Sequence, residues 1–252
     1  MSLQAVIFDV DGTLADTERD GHRVAFNAAF RELGLDWQWD ESTYGELLET
    51  GGGKERVLRY IQRAGLPDAA QDGPQAFAAS VHAVKTRHFK ALLQHPGIPL
   101  RPGVARLLRE LRQASVRLAI ATTSAEESVV ALLQANLGED AANGFDVIGA
   151  GDVVAEKKPA PDIYRWVQER LGLDAACCLA VEDSNPGLRA ATAAGLKTVV
   201  TVNGYTSRQD FAAATAVLSD LGEPERPFRL LRGTAHGYGQ VCPALLERWL
   251  AQ

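Results

Sequence analysis

The chain has 252 residues, 46% hydrophobic and 23% charged, which is ordinary for a globular enzyme and long enough for one sizeable core plus a smaller second unit. A formal net charge of −6 supplies no broad basic face, which argues against a nucleic-acid or anionic-membrane partner but leaves room for a small anionic substrate in a locally positive pocket. Three cysteines, two of them adjacent (Cys177, Cys178) and none in a CxxC spacing, argue against disulfides or a zinc site and for a reducing cytoplasm; no apolar run reaches the roughly 18 residues of a membrane span, and Met1 to Gln4 lead into a strand with no basic signal-peptide region.

Ala5–Val10 is a short β-branched and aromatic run that reads as a buried strand, broken by the turn signal Asp11-Gly12. From about Thr17 to Leu93 the texture is helical. Phe26, Phe30 and Leu33 fall at helical spacing and Gly34 stops that helix; Gly51–Gly53, Gly65–Pro67 and Gly73-Pro74 mark loops. Pro96–Gly103 reads as a linker. Beyond it, strand candidates alternate with helix candidates. The strands are Arg117–Ala121, Val147–Gly149, Cys178–Val181, Thr198–Val202 and Ala216–Leu218; the helices are Val104–Ala114, Glu126–Ala135, Asp162–Leu171, Leu188–Ala194 and Ser207–Ala213. The Ala-rich stretches Gln75–Ala79 and Ala212–Ala216 also read as helix. This alternation predicts an α/β fold with a doubly wound, Rossmann-like parallel sheet, residues 1–16 and 96–252, interrupted by an inserted all-helical cap, residues 17–95.

The first strand delivers Asp9 and Asp11 at its carboxyl end, where open parallel sheets place their ligand crevice. Two carboxylates there suit a nucleophile and an acid/base, although Asp before Gly is also a common polar turn. A second strand ends in Thr122-Thr123-Ser124, a hydroxyl-bearing phosphate cradle at a helix start. Ser124 with Glu127 also spells a capping box. Lys158 would offset phosphoryl charge. Glu182 and Asp183 end a further strand and offer the hard oxygens that Mg²⁺ prefers.

In this order the four pieces resemble the haloacid dehalogenase superfamily. The helical insertion resembles the cap of its β-phosphoglucomutase-like branch, and His22–Phe26, Gly51–Arg56 and Lys157–Tyr164 resemble the CbbY-type proteins, which hydrolyse xylulose-1,5-bisphosphate. The resemblance implies a phosphatase with Asp9 as nucleophile, Asp11 as acid/base, and Thr122 and Lys158 in the catalytic set. It implies Mg²⁺ held by Asp9, the Asp11 carbonyl, Asp183 and Glu182. Thr123 and Ser124 would help hold phosphate. In the cap, Gly52, Gly53, Lys54 and Arg56 suit a second phosphate, the alternative for Lys54 and Arg56 being a solvated helix face; Glu18 and His22 are sugar or phosphate candidates, and Tyr44 is a further one. The Glu18–His22 segment is one residue longer than in many relatives, which leaves an ordinary helix-surface histidine as an equal reading of His22. His82, His88, His95 and His236 read as surface residues, and the tryptophans as packing.

A small phosphorylated sugar is thus the expected partner of a monomer or weak dimer, with a pentulose bisphosphate favoured. Three rivals stand: a sugar-phosphate mutase on the same core, a metal-free dehalogenase, against which Asp11 and the acid pair speak, and a non-catalytic binding protein, which would be expected to lack Asp9, Asp11 or Lys158.

Overall fold

The computed structural model describes residues 2–50, 52–67, 70–95 and 97–252. Gly51 of the expected cap loop and Pro96 of the expected linker lie outside the described residues. The chain forms two compact units, one of Met1–Asp16 with Pro99–Gln252 and the other of Thr17–Ile98.

The first unit is built on a seven-stranded sheet in the order β3-β2-β1-β4-β5-β6-β7. Its strands are β1 (Ala5–Phe8), β2 (Arg117–Ala121), β3 (Val147–Gly149), β4 (Cys178–Glu182), β5 (Lys197–Thr201), β6 (Ala216–Leu218) and β7 (Leu230–Arg232). The first six run parallel, and β7, which the sequence reading did not foresee, closes one edge antiparallel. All of Ala5–Phe8 is inaccessible, as expected of a central parallel strand covered on both faces. Strand order reverses beside β1: the chain winds outward through β2 and β3, then returns to the other side of β1 as β4. Phe8 is in register with Ile120 on one side and Val181 on the other, so the residues just beyond β1, β2 and β4 emerge side by side at the crevice.

The Thr17–Ile98 unit is all helical among its described residues: α1 (Arg23–Glu32), α2 (Glu41–Leu47), α3 (Gly53–Ala64) and α4 (Pro74–Gln94). Glu18–His22 forms a π-helical turn running directly into α1. A one-residue excess inside a helix is accommodated in this way, by widening a single turn. Helix α1 ends in a Schellman motif: the Leu35 amide donates to the Phe30 carbonyl and the Gly34 amide to that of Arg31, with Gly34 at φ 68°. Phe26 and Phe30, one helical turn apart, pack on the fully buried Trp39 with ring centroids at 4.6 and 4.8 Å. Asn27 clamps that tryptophan's backbone, its Nδ2 donating to the Trp39 carbonyl and its Oδ1 accepting from the Trp39 amide.

Back in the α/β unit, α5 (Val104–Gln113), α6 (Glu126–Leu137), α7 (Asp162–Leu171), α8 (Asn185–Ala193) and α9 (Pro243–Leu250) accompany the sheet. Two sequence expectations fail here. Ser207–Ala213 and the Ala-rich stretch Ala212–Ala216 are not helical; the chain runs through turns into β6. Local turns take the place of a helix: Asn203 Oδ1 holds the Tyr205 and Thr206 amides just before the stretch, and within it Asp210 Oδ1 takes the amide of Ala212. The second half of the expected linker is likewise built into this unit. The Arg101 amide donates to the Leu14 carbonyl, and its guanidinium is buried against the carbonyls of Gly12, Thr201, Val202 and Ser219.

Candidate active site

Asp9 leaves β1 with its amide still donating to the Val181 carbonyl, after which the chain turns back on Val10, whose carbonyl takes the amides of Thr13 and Leu14. The turn needs glycine at position 12 on two counts. Its φ is +89°, and a Cβ there would lie 2.3 Å from Asp183 Oδ2 and 2.7 Å from Asn203 Nδ2.

Lys158 enters from the β3–α7 loop. Its Nζ donates to Asp9 Oδ1 at 2.7 Å, Glu182 Oε1 at 2.6 Å and the Ala121 carbonyl at 2.9 Å, which uses all three ammonium hydrogens. Glu182 is completely buried, and its Oε1 also accepts from the Tyr164 hydroxyl at 2.6 Å. Asp183 Oδ2 accepts from Asn203 Nδ2 at 2.7 Å and Oδ1 from the Thr13 hydroxyl at 3.4 Å. One carboxylate oxygen from each of Asp9, Glu182 and Asp183 lies within 4.8 Å of the others.

Electrostatically this cluster is short of positive charge. Burial, followed by the carboxylates of Glu182 and Asp11, pushes Asp9 up to about 7 against the opposing pull of Lys158. Burial and the neighbouring Asp9 and Glu182 likewise raise Asp183 well above the usual carboxylate range. For Lys158, burial opposes the charged form, but the Asp9 and Glu182 carboxylates outweigh it and the ammonium is held more firmly than usual. Three buried carboxylates thus face one ammonium. An all-oxygen donor set with this charge imbalance fits a hard divalent cation.

Asp11 is turned toward the end of β2, where its Oδ2 accepts from the Ser124 hydroxyl at 2.5 Å and the Thr122 hydroxyl at 3.5 Å. Thr122 Oγ1 in turn accepts from the Ser124 amide. The capping-box expectation for Ser124 fails: the N-cap of α6 is Ala125, because the Ser124 hydroxyl is spent on Asp11. Ser184, by contrast, does cap α8, accepting from the Gly187 amide. Thr123, expected beside phosphate, is exposed.

The cap candidates fall into separate groups within the helical unit. Glu18, Tyr44 and Arg56 form one cluster: the Tyr44 hydroxyl donates to Glu18 Oε2 at 2.5 Å, and Arg56 Nη1 donates to the Tyr44 oxygen at 3.0 Å and to Glu18 at 3.4 Å. Burial opposes the Arg56 charge, yet Glu18 and then Tyr44 hold its pKa above the ordinary value. His22 is no plain surface residue. It stacks on Phe89 at 3.9 Å, with Nδ1 lying 2.7 Å from Nζ of the buried Lys85. Gly52 and Gly53 open α3, and Lys54 beside them is exposed. His82, read as surface, is half-buried, and burial together with Lys85 and Lys54 depresses its pKa.

Sequence reasoning passed over Tyr164, Asn203 and Arg101. Tyr164 lay inside a quoted stretch, Lys157–Tyr164, and its pairing with Glu182 could have been suspected from that company. No local signal marks the other two, because their partners are distant in the chain.

A haloacid dehalogenase-like hydrolase family model matches residues 3–195. The plasmid-encoded CbbY protein of Cupriavidus necator is 48% identical over 248 residues, spanning 98% of this chain and 96% of that protein. A crystal structure of a mutant CbbY from Rhodobacter sphaeroides, in complex with xylulose-(1,5)bisphosphate, is 47% identical with a TM-score of 0.76, covering 86% of this chain and 94% of that one. A putative β-phosphoglucomutase from Thermotoga maritima is 28% identical with a TM-score of 0.67 over 85% of this chain and 94% of its own. With its strand-end carboxylates and lysine ordered as in the expected motifs, the chain belongs to the haloacid dehalogenase-like hydrolase family and is an enzyme, a phosphatase similar to the CbbY proteins.

Proposed function

We propose that this enzyme removes a phosphoryl group from a small sugar phosphate, with xylulose-1,5-bisphosphate the favoured substrate. The observation that carries the reading is the convergence of Asp9, Lys158, Glu182 and Asp183 beyond the ends of adjacent strands. The substrate assignment draws on the bisphosphate seen with the Rhodobacter sphaeroides relative.

In this mechanism an Asp9 carboxylate oxygen attacks phosphorus, the ester P–O bond breaks, and Asp11 gives its proton to the leaving oxygen. Asp11 then takes a proton from water as that water attacks the aspartyl phosphate, releasing inorganic phosphate and restoring Asp9. Lys158 holds Asp9 in place and offsets charge on the transferring oxygens, and the hydroxyls of Thr122 and Ser124 turn from Asp11 to the phosphate when substrate enters. Asp11 is poised on those same two hydroxyls. Asp9, Asp183 and Glu182, with the Asp11 carbonyl, would hold Mg²⁺, which would supply further neutralisation of the phosphoryl oxygens. In the helical unit, exposed Lys54 and the Glu18–Tyr44–Arg56 cluster are assigned to the sugar and its second phosphate. A cytoplasmic setting is supported by the three free cysteines, and no described helix is long and apolar enough to cross a membrane.

The test is a phosphate-release screen over sugar phosphates, with bisphosphates and monophosphates side by side and products identified. Release of one phosphate from a pentulose bisphosphate is expected. Isomerised sugar phosphate with little free phosphate would instead establish the mutase.

A further inference from the structure

Asn203 follows β5, on the far side of β4 from Asp9, and its side chain has every polar atom assigned. Oδ1 accepts from the Tyr205 amide at 2.9 Å and the Thr206 amide at 3.2 Å. Its own amide donates to Thr206 Oγ1 at 3.0 Å. With Oδ1 committed to two main-chain N–H groups, the NH₂ end can only point the other way, so the orientation of the amide is determined by its neighbours. That NH₂ reaches Asp183 Oδ2 at 2.7 Å and the Gly12 carbonyl at 3.4 Å. The backbone beneath it is itself held, because Arg101 donates to the carbonyls of Thr201 at 3.0 Å and Val202 at 2.6 Å. Position 12 has no room for a side chain between Asp183 and Asn203, so nothing intervenes in this contact.

We propose that Asn203 is a positioning residue for the Asp183 carboxylate, holding it in the orientation that receives the divalent cation. The inference rests on the reading of Asp183 as a metal ligand. A carboxylate accepting a hydrogen bond on one oxygen is confined to a narrow range of side-chain torsions and is aimed before the metal arrives. Outer partners of this kind typically contribute about 10–100-fold in metal affinity. The Asx turn explains why the residue is asparagine. A single side chain must accept from its own loop and donate across to the next strand end; aspartate has no donor, and serine has one short hydroxyl where asparagine has two separate groups facing opposite ways.

The experiment titrates Mg²⁺ alone into metal-stripped protein by calorimetry, for wild type, Asn203→Ser, Asn203→Ala, Thr206→Val and Asp183→Asn. Asn203→Ser keeps an oxygen that can serve the turn, but its shorter side chain withdraws the Nδ2 group from Asp183, which guards against simple unfolding. Asn203→Ser and Asn203→Ala are expected to bind Mg²⁺ about 10–100-fold more weakly. Thr206→Val, which perturbs the same turn and keeps the amide, should stay close to wild type. In turnover, the Asn203 variants should need more Mg²⁺ for half-maximal rate and recover most of kcat when saturated. Wild-type affinity in both Asn203 variants, with binding lost in Asp183→Asn, overturns this inference alone. Equal weakening by Thr206→Val and the Asn203 variants also overturns it, assigning the effect to the loop. Equal Mg²⁺ binding by wild type and Asp183→Asn overturns the ligand reading of Asp183 and this inference with it.

Discussion

Lys158 and Asp9 meet at 2.7 Å, ammonium on carboxylate, with both side chains nearly removed from solvent. Their removal should therefore have opposite consequences for stability and the same consequence for activity. Asp9→Asn should lower kcat by at least about 10³-fold, since an amide cannot form the acyl phosphate. It also removes one of the crowded carboxylates, so the metal-free variant should melt at or above the wild-type temperature. Lys158→Met leaves buried carboxylates without their cation and should cost on the order of 3–5 kcal/mol. Thermal melts in chelator, alongside turnover, check both; near-normal turnover by Asp9→Asn would sink the mechanism.

Chelation should abolish turnover, and Mg²⁺ should restore it. Ca²⁺ should restore it poorly, because it prefers more ligands at longer distances. The same additions should raise the melting temperature, with about 2.7 kcal/mol of stabilisation at a hundred times Kd. Undiminished phosphate release in chelator would instead favour a metal-free reaction.

Lys54 and Arg56 separate into different kinds of probe. Lys54 is exposed, whereas Arg56 is tied to Glu18 and Tyr44. If the two read a second phosphate, Lys54→Ala should reduce kcat/KM for the bisphosphate by about ten- to a hundredfold and barely affect the monophosphate. Arg56→Ala should show the same selectivity plus a loss of stability, because Glu18 is left without its cation. Equal losses on both substrates would assign the pair to folding or cap motion, and no loss from Lys54→Ala would return it to a solvated helix face.

Cys178 lies inaccessible in β4, and burial, with a lesser contribution from Cys177, pushes its thiol up to about 11. A raised folded-state pKa means that the native chain keeps this proton longer than the unfolded chain does. The contribution to stability is therefore intact below the ordinary value of 9.0 and is lost as pH climbs toward 11. At pH 8, iodoacetamide should modify the half-buried Cys177 and Cys242 and spare Cys178 until the protein unfolds. Peptide mass spectrometry reads this directly, and early modification of Cys178 would contradict its burial.

What was legible in the sequence is what short-range pattern controls. Buried apolar runs such as Ala5–Phe8 and Cys178–Val181 announced strands, and the carboxylates, hydroxyls and lysine near strand ends supplied the candidates for the proposed phosphoryl-transfer site. Gly34 marked a helix end because only a residue at ease with positive φ closes that motif. Local pattern misled wherever a side chain had a stronger competing partner. Ser124 has the spacing of a cap, but Asp11 takes its hydroxyl, and Ser207–Ala213 has helical composition, but Asp210 takes the Ala212 amide into a local turn. The pairings of Asn203 with Asp183 and of Arg101 with Gly12 were decided only by tertiary structure. Both pairs join loops far apart in the chain, and nothing in the spacing of one partner carries the position of the other. Sheet order supplies it for Asn203 and Asp183, since β4 lies beside β5 and the loops that follow them meet, while Arg101 reaches the Gly12 carbonyl from the segment before α5.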